Sequence, residues 1–154
     1  MDPTKPPTYS KPGFANAGGG DPYRKYIVNA VETATPLMLI IMLYDEAIKM
    51  CSLAIQDIGV NKESAHNKLI KAQKIVTELT VSLNMEAGGE IAENLKSIYL
   101  YLHMRLVEAN IENNKGKIEE AMRILKDLRE AWVIVNQQQR KSVINSDGGI
   151  SIQT

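Results

Sequence analysis

From Thr35 to Gln138 the chain repeats apolar residues at intervals of three and four, the spacing that lines one face of an α-helix. Thr35-Pro36 supplies an N-cap and first-turn pair and opens a first long helix to about Ile58. Its inward stripe reads Ile40, Leu43, Ala47, Met50, Ala54 and Ile58, and Gly59 stops it. Ser64 is placed to cap a second helix to about Asn84, with Ala65, Leu69, Ala72, Val76, Leu79 and Leu83 inward. The segment MEAGG breaks the pattern. A third helix then runs from about Glu90 to Asn113, and after a turn at Asn114–Gly116 a fourth runs from about Lys117 to Gln138. The fourth turns Ile118, Ala121, Met122, Leu125, Leu128 and Trp132 inward. Asp21-Pro22 repeats the start signal and predicts a short helix to about Glu32. No strand-like alternation survives, and short connections set consecutive helices antiparallel. The expectation is an all-α fold: an antiparallel four-helix bundle with an additional short N-terminal helix. Residues 1–20, with four prolines and four glycines, read as a flexible extension, residues 21–139 as the bundle and residues 140–154 as a C-terminal tail.

The third helix carries more apolar surface than a bundle requires. At about 100° per residue, Ile91, Leu95, Ile98, Leu102, Leu106 and Ala109 share one face. Leu100, Met104, Val107 and Ile111 share another, roughly 180° away. Smaller parallels occur at Ile70, Thr77 and Val81 on the second helix and at Ile124, Ala131 and Ile134 on the fourth. One stripe suffices to hold a helix in a bundle, so something covers the rest. Three covers are open. The short N-terminal helix offers an apolar side through Tyr23, Tyr26, Ile27, Ala30 and Val31. A second copy would make the stripe a homodimer seam. An amphipathic segment of another protein would make it a binding groove, in which the adaptable thioether of Met104 suits several guest side chains.

Charge and composition narrow the partners. Eighteen basic and eighteen acidic residues cancel, and Arg24-Lys25 is the one dense basic cluster outside the tails. Nucleic acid and anionic membrane both select for a basic patch, so neither is the expected partner. The run Leu37–Tyr44 is apolar but ends at Asp45, far short of the roughly 20 residues that stable membrane insertion needs. A lone cysteine, Cys51, excludes an internal disulfide and suits the cytoplasm. It falls on the apolar arc of the first helix, where a free thiol packs as a small hydrophobe. One Glu-x-x-His pair, Glu63 and His66, stands alone where a carboxylate-bridged metal centre uses two; His103 has no glutamate three residues before it. Gly88-Gly89 and Gly18-Gly19-Gly20 follow no strand and make no phosphate cradle. No nucleophile, base and oxyanion hole assemble, so no enzyme activity, metal or cofactor is expected.

Several segments, taken in order, resemble a known family. Tyr26, Asn29, Val31, Thr33-Ala34-Thr35-Pro36-Leu37 and Met42-Leu43-Tyr44-Asp45 come first. Leu83-Asn84-Met85, Gly89-Glu90-Ile91-Ala92, Leu106-Val107-Glu108-Ala109-Asn110 and Leu128-Arg129-Glu130-Ala131-Trp132 follow. Across about residues 23–136 this sequence is similar to the flagellar secretion chaperones of the FliS family; residues 1–20 depart from it. The resemblance implies a cytoplasmic bundle without catalytic residues or cofactor. It implies that the bundle binds the C-terminal segment of flagellin, prevents premature polymerisation and delivers the subunit to the flagellar export gate protein. It leaves room for a co-chaperone on the outside. It also implies that the N-terminal segment, here Tyr23 to Val31, lies over part of the binding surface. In this reading Leu100, Met104, Val107 and Ile111 receive the guest, with Ile70, Thr77, Val81, Ile124 and Ala131 as further contacts.

Overall fold

The computed structural model describes residues 35–147, with Pro22 and Lys25 as two further helical positions. Both expected tails, apart from residues 140–147, and the cover residues Tyr23, Tyr26, Ile27 and Val31 lie outside the described residues. Among the described residues four helices follow one another: α1 (Pro36–Asp57), α2 (Lys62–Val81), α3 (Met85–Glu112) and α4 (Lys115–Asp147). The fold is all-α.

Asparagine, more than serine, sets the helix ends. The expected cap of α2 at Ser64 is corrected: Asn61 is the N-cap, and its Oδ1 accepts from the Ser64 amide at 3.1 Å. Ser64 lies within the first turn, where its hydroxyl donates to Asp57 Oδ2 at 2.5 Å and ties α2 back to the end of α1. Asn84 caps α3 through Ala87 N at 2.9 Å. The turn it starts ends at Gly89, whose φ of 53° and ψ of −128° leave helical space, so the long part of α3 begins after that break. At the other end Asn113 adopts the left-handed conformation, φ 53°, which asparagine tolerates better than most residues. The Asn114 amide then reaches back to Ala109 O at 3.0 Å, while its side chain accepts from Lys117 N at 3.2 Å and starts α4. α4 does not stop at Gln138 but continues to Asp147, just before Gly148-Gly149. Polarity does not end a helix, and Gln, Arg and Lys are good helix formers.

Cross-helix pairs give the packing directions. Met38 meets Asn136, Tyr44 meets Trp132 and Asp45 meets Arg129, so α1 and α4 run antiparallel. Tyr101 and Arg105 meet Glu120 while Glu108 meets Lys117, giving the same sense for α3 and α4. His66 pairs with Asn110 between α2 and α3.

The core follows alternating steps of three and four, the spacing of a gently supercoiled bundle seam. On α2 it buries Ala65, Leu69, Ala72, Val76 and Leu79, and on α4 Ile118, Ala121 and Leu125, as the pattern predicts. Two expected stripes turn about the helix axis. α1 buries Ile41, Tyr44, Ala47, Met50, Cys51 and Ala54, leaving Ile40, Leu43 and Ile58 partly buried at the flanks. α3 buries Ala92, Tyr99, Leu102, Leu106 and Ala109. Ile91, expected inside, is 71% exposed in the first turn after the Gly89 break. Both corrections have one cause: tyrosine takes an interior position on each helix.

The close approach at the break gives a test. A Cβ on Gly88 would stand 2.6 Å from the Cβ of buried Ala92, which has no flexible end to move aside. Gly88→Ala is expected to cost about 1–3 kcal/mol in chemical denaturation. Adding Ala92→Gly removes the clash and recovers part of that loss; simple addition of the two losses would refute the contact.

Candidate partner-binding surface

The orientation of α3 starts from its interior. Tyr99 is 1% exposed and its hydroxyl lies 2.5 Å from that of Tyr44, itself fully buried. Trp132 Nε1 donates to the Tyr44 oxygen at 3.1 Å, so three helices meet on one hydroxyl. Among the described residues no buried side-chain polar atom lacks a partner. Turning about 100° per residue from Tyr99 carries Leu100 out of the core, and Met104 and Ile111 follow. Their exposures are 59%, 53% and 75%; Val107 is half-buried. These side chains form the outer ridge of α3, opposite a face already filled by Leu102, Leu106 and Ala109.

The other expected contacts divide into two shoulders beside that ridge. His66 Nδ1 and the Asn110 amide mark the α2–α3 seam. Ile70 lies one turn beyond His66 and Val107 one turn before Asn110, so the two half-buried side chains flank that seam on its outer side. Thr77 and Val81 continue the Ile70 face and are exposed; the Thr77 hydroxyl is occupied by Gln73 O at 3.1 Å. On the other shoulder Ile124 lies one turn beyond Glu120, the residue that marks the α3–α4 seam. Ile124 packs partly against the core, whereas Ala131 is exposed. Sequence spacing brought out these positions; it missed Tyr99, whose inward turn aims them.

Polar contacts close the α3–α4 seam near its turn. Tyr101 donates to Glu120, Arg105 Nε donates to Tyr101 Oη at 2.9 Å, and the Arg105 guanidinium lies 5.3 Å from the Tyr101 ring centroid. Lys117 Nζ reaches Glu108 and Glu112 at 3.1 and 3.0 Å. The Tyr101 hydrogen bond and the Arg105 charge hold the Glu120 carboxyl below its usual range, and Lys117 does the same for Glu112. Solvent-exposed pairs of this kind add little stability, but they cover the seam beside Met104 with charge.

Cys51 is placed for packing, and the Glu63–His66 pair lies on the surface. Burial pushes the Cys51 thiol up to about 12, far from the thiolate that nucleophilic chemistry requires. Glu63 is exposed at the start of α2, and His66 pairs with Asn110. Among the described residues no three histidine, cysteine, aspartate or glutamate side chains gather as a metal site, and no helix is long and apolar enough to cross a membrane.

The family model for the flagellar protein FliS matches residues 19–139, most of the chain. The chain belongs to the FliS family. A flagellar secretion chaperone FliS from Bacillus subtilis is 39% identical over 129 residues, covering 83% of this chain and 96% of the relative. The FliS chaperone of Salmonella typhimurium is 37% identical over 110 residues, 69% of this chain and 80% of the relative. That of Campylobacter jejuni is 32% identical over 113 residues, 71% and 87% respectively. The matched span contains the whole ridge, both shoulders and the Tyr44–Tyr99–Trp132 contact, and stops before the last turns of α4.

Two predictions follow from the buried FliS core. Tyr44→Phe removes the one hydroxyl that both Tyr99 and Trp132 meet, whereas Tyr99→Phe leaves Tyr44 its Trp132 donor. The first change is therefore expected to cost about 1–3 kcal/mol and the second less, measured by urea denaturation; equal costs would remove Tyr44 from the centre of the network. Alkaline melts test burial. Desolvation raises Cys51 to about 12 and raises Tyr44 and Tyr99 too, so folding holds all three neutral while the unfolded chain ionises. Their contribution is complete below the ordinary thiol and phenol values and is lost as pH climbs from about 9 toward the folded values. The melting temperature should fall over that window, less steeply in Cys51→Ala; an identical slope would count against the thiol.

Proposed function

We propose that this chain is a cytoplasmic, non-catalytic export chaperone that binds the C-terminal segment of flagellin on the outer face of α3. By holding that segment it prevents premature polymerisation, and it presents the subunit to the export gate of the flagellar secretion apparatus. The observation that carries the reading is the exposed row Leu100, Met104 and Ile111 on a helix whose opposite face already satisfies the core, in a chain of the FliS chaperone family.

The energetics suit a temporary partner. An amphipathic segment that is disordered when free gives up conformational entropy on docking. Burying apolar surface returns about 25 cal/mol per Å², enough to offset that cost without a strong charge attraction. A net charge of zero leaves the contact short-ranged, which favours hand-over. Ile70, Thr77 and Val81 extend the contact on one side of the ridge, and Ile124 and Ala131 on the other. Tyr23, Tyr26, Ile27 and Val31 serve in this reading as an internal cover that the guest displaces.

Met104→Glu and Val107→Asp test the surface. Each is expected to keep the helical circular-dichroism signal and to weaken a flagellin C-terminal peptide at least about ten-fold in titration calorimetry, because each buries a charge in an apolar contact. Unchanged affinity in both variants removes the ridge as the docking site. Light scattering of the unliganded chain separates the homodimer reading: a stable dimer that Met104→Glu dissociates would assign the ridge to a second copy.

A further inference from the structure

Methionine suits the centre of a recognition ridge because its thioether adapts to several guests, but an exposed sulfur is also open to oxidation. The described methionines differ sharply in access. Met50 is 4% exposed in the core, Met122 packs against the core, and the Met38 sulfur accepts from Asn136 Nδ2 at 3.2 Å. Met85, in the first turn of α3, is 39% exposed. Met104 is the most open of the described set at 53%, and Leu100, Val107 and Ile111 surround it at helical spacing.

We propose that Met104 is a reversible oxidation site through which hydrogen peroxide or a similar two-electron oxidant turns the α3 ridge off. This inference deepens the chaperone reading and rests on it for the identity of the guest. The Met104 sulfur attacks one peroxide oxygen. A sulfur–oxygen bond forms, the O–O bond breaks, the sulfur loses two electrons, and the other oxygen leaves as water after proton transfer. The product is a sulfoxide, a strong hydrogen-bond acceptor on a side chain that was wholly apolar. Its ridge neighbours Leu100, Val107 and Ile111 carry only hydrocarbon, and the flanking donors Tyr101 and Arg105 are already engaged with Glu120 and with each other. Docking an apolar guest there strips water from the new oxygen without replacing its hydrogen bonds. The fold itself survives, since Met104 contributes nothing to the buried core. Methionine sulfoxide reduction restores the thioether and with it the ridge.

The experiment treats the full chain alone with graded hydrogen peroxide, removes the oxidant, maps each methionine by peptide mass and then titrates a flagellin C-terminal peptide. Met104 is expected to gain oxygen well before Met50. The treated chain is expected to bind roughly ten-fold more weakly, recovering after incubation with methionine sulfoxide reductase. Met104→Leu is compared with itself before and after treatment, and it should keep whatever affinity it starts with. Oxidation of Met104 no faster than Met50, unchanged affinity once Met104 sulfoxide has formed, or an equal loss in Met104→Leu would each overturn the proposal. Binding of an apolar fluorescent dye separates the two readings. Should the untreated chain not bind the peptide at all, the chaperone reading fails. A dye signal that falls on oxidation in the parent chain but not in Met104→Leu still upholds the switch.

Discussion

One buried hydroxyl governs how this bundle presents itself. The Tyr44 oxygen receives the Trp132 indole and meets the Tyr99 hydroxyl, joining α1, α4 and α3 at a single level. Polar groups in a core are tolerated only when their partners are met, so the contact strongly disfavours alternative rotations of these helices. Rotation of α3 is the variable that matters. A helix places neighbours about 100° apart, so fixing Tyr99 inward fixes Leu100 and its row outward. The core contact and the outer ridge are two views of the same angular choice.

That choice explains how a helical bundle comes to carry an exposed apolar row on a helix whose core face is already filled. The row is narrow, and its shoulders are only partly open because Ile70, Val107 and Ile124 are half-buried. Along the α3–α4 turn the Tyr101–Arg105–Glu120 and Lys117 contacts wrap one flank in charge. Apolar strips bordered in this way discourage indiscriminate association while leaving room for one elongated guest. The proposed export role would require the same compromise, since a carrier that grips too strongly does not release.

Much of this was legible in the sequence, and the exceptions share physical causes. The α2 and α4 stripes could be read directly because their interior positions are all hydrocarbon. α1 and α3 were misjudged in rotation because a hydroxyl-bearing ring counts as half-polar in any hydropathy reading, while the folded chain hides two such rings against each other. The Gly88-Gly89 break was visible as glycine. The caps at Asn61 and Asn84 were missed because a serine three residues on and a continuing apolar pattern competed for the same role. α4 outlasts its apolar spacing because polar helix formers carry it on to Asp147. The outer row itself stood out, since no core demands two opposite stripes.

The joint between α3 and α4 has a mechanical implication. Asn113 terminates one helix in a left-handed turn and Asn114 immediately initiates the next, leaving no spare residue between them. Such a coupling transmits torque: rolling α3 about its long axis would drag α4 with it, shifting Ile124 and Ala131 in step with Met104. In the proposed role, a guest that engages the ridge would meet an α4 shoulder joined to it by a connection with no spare residue.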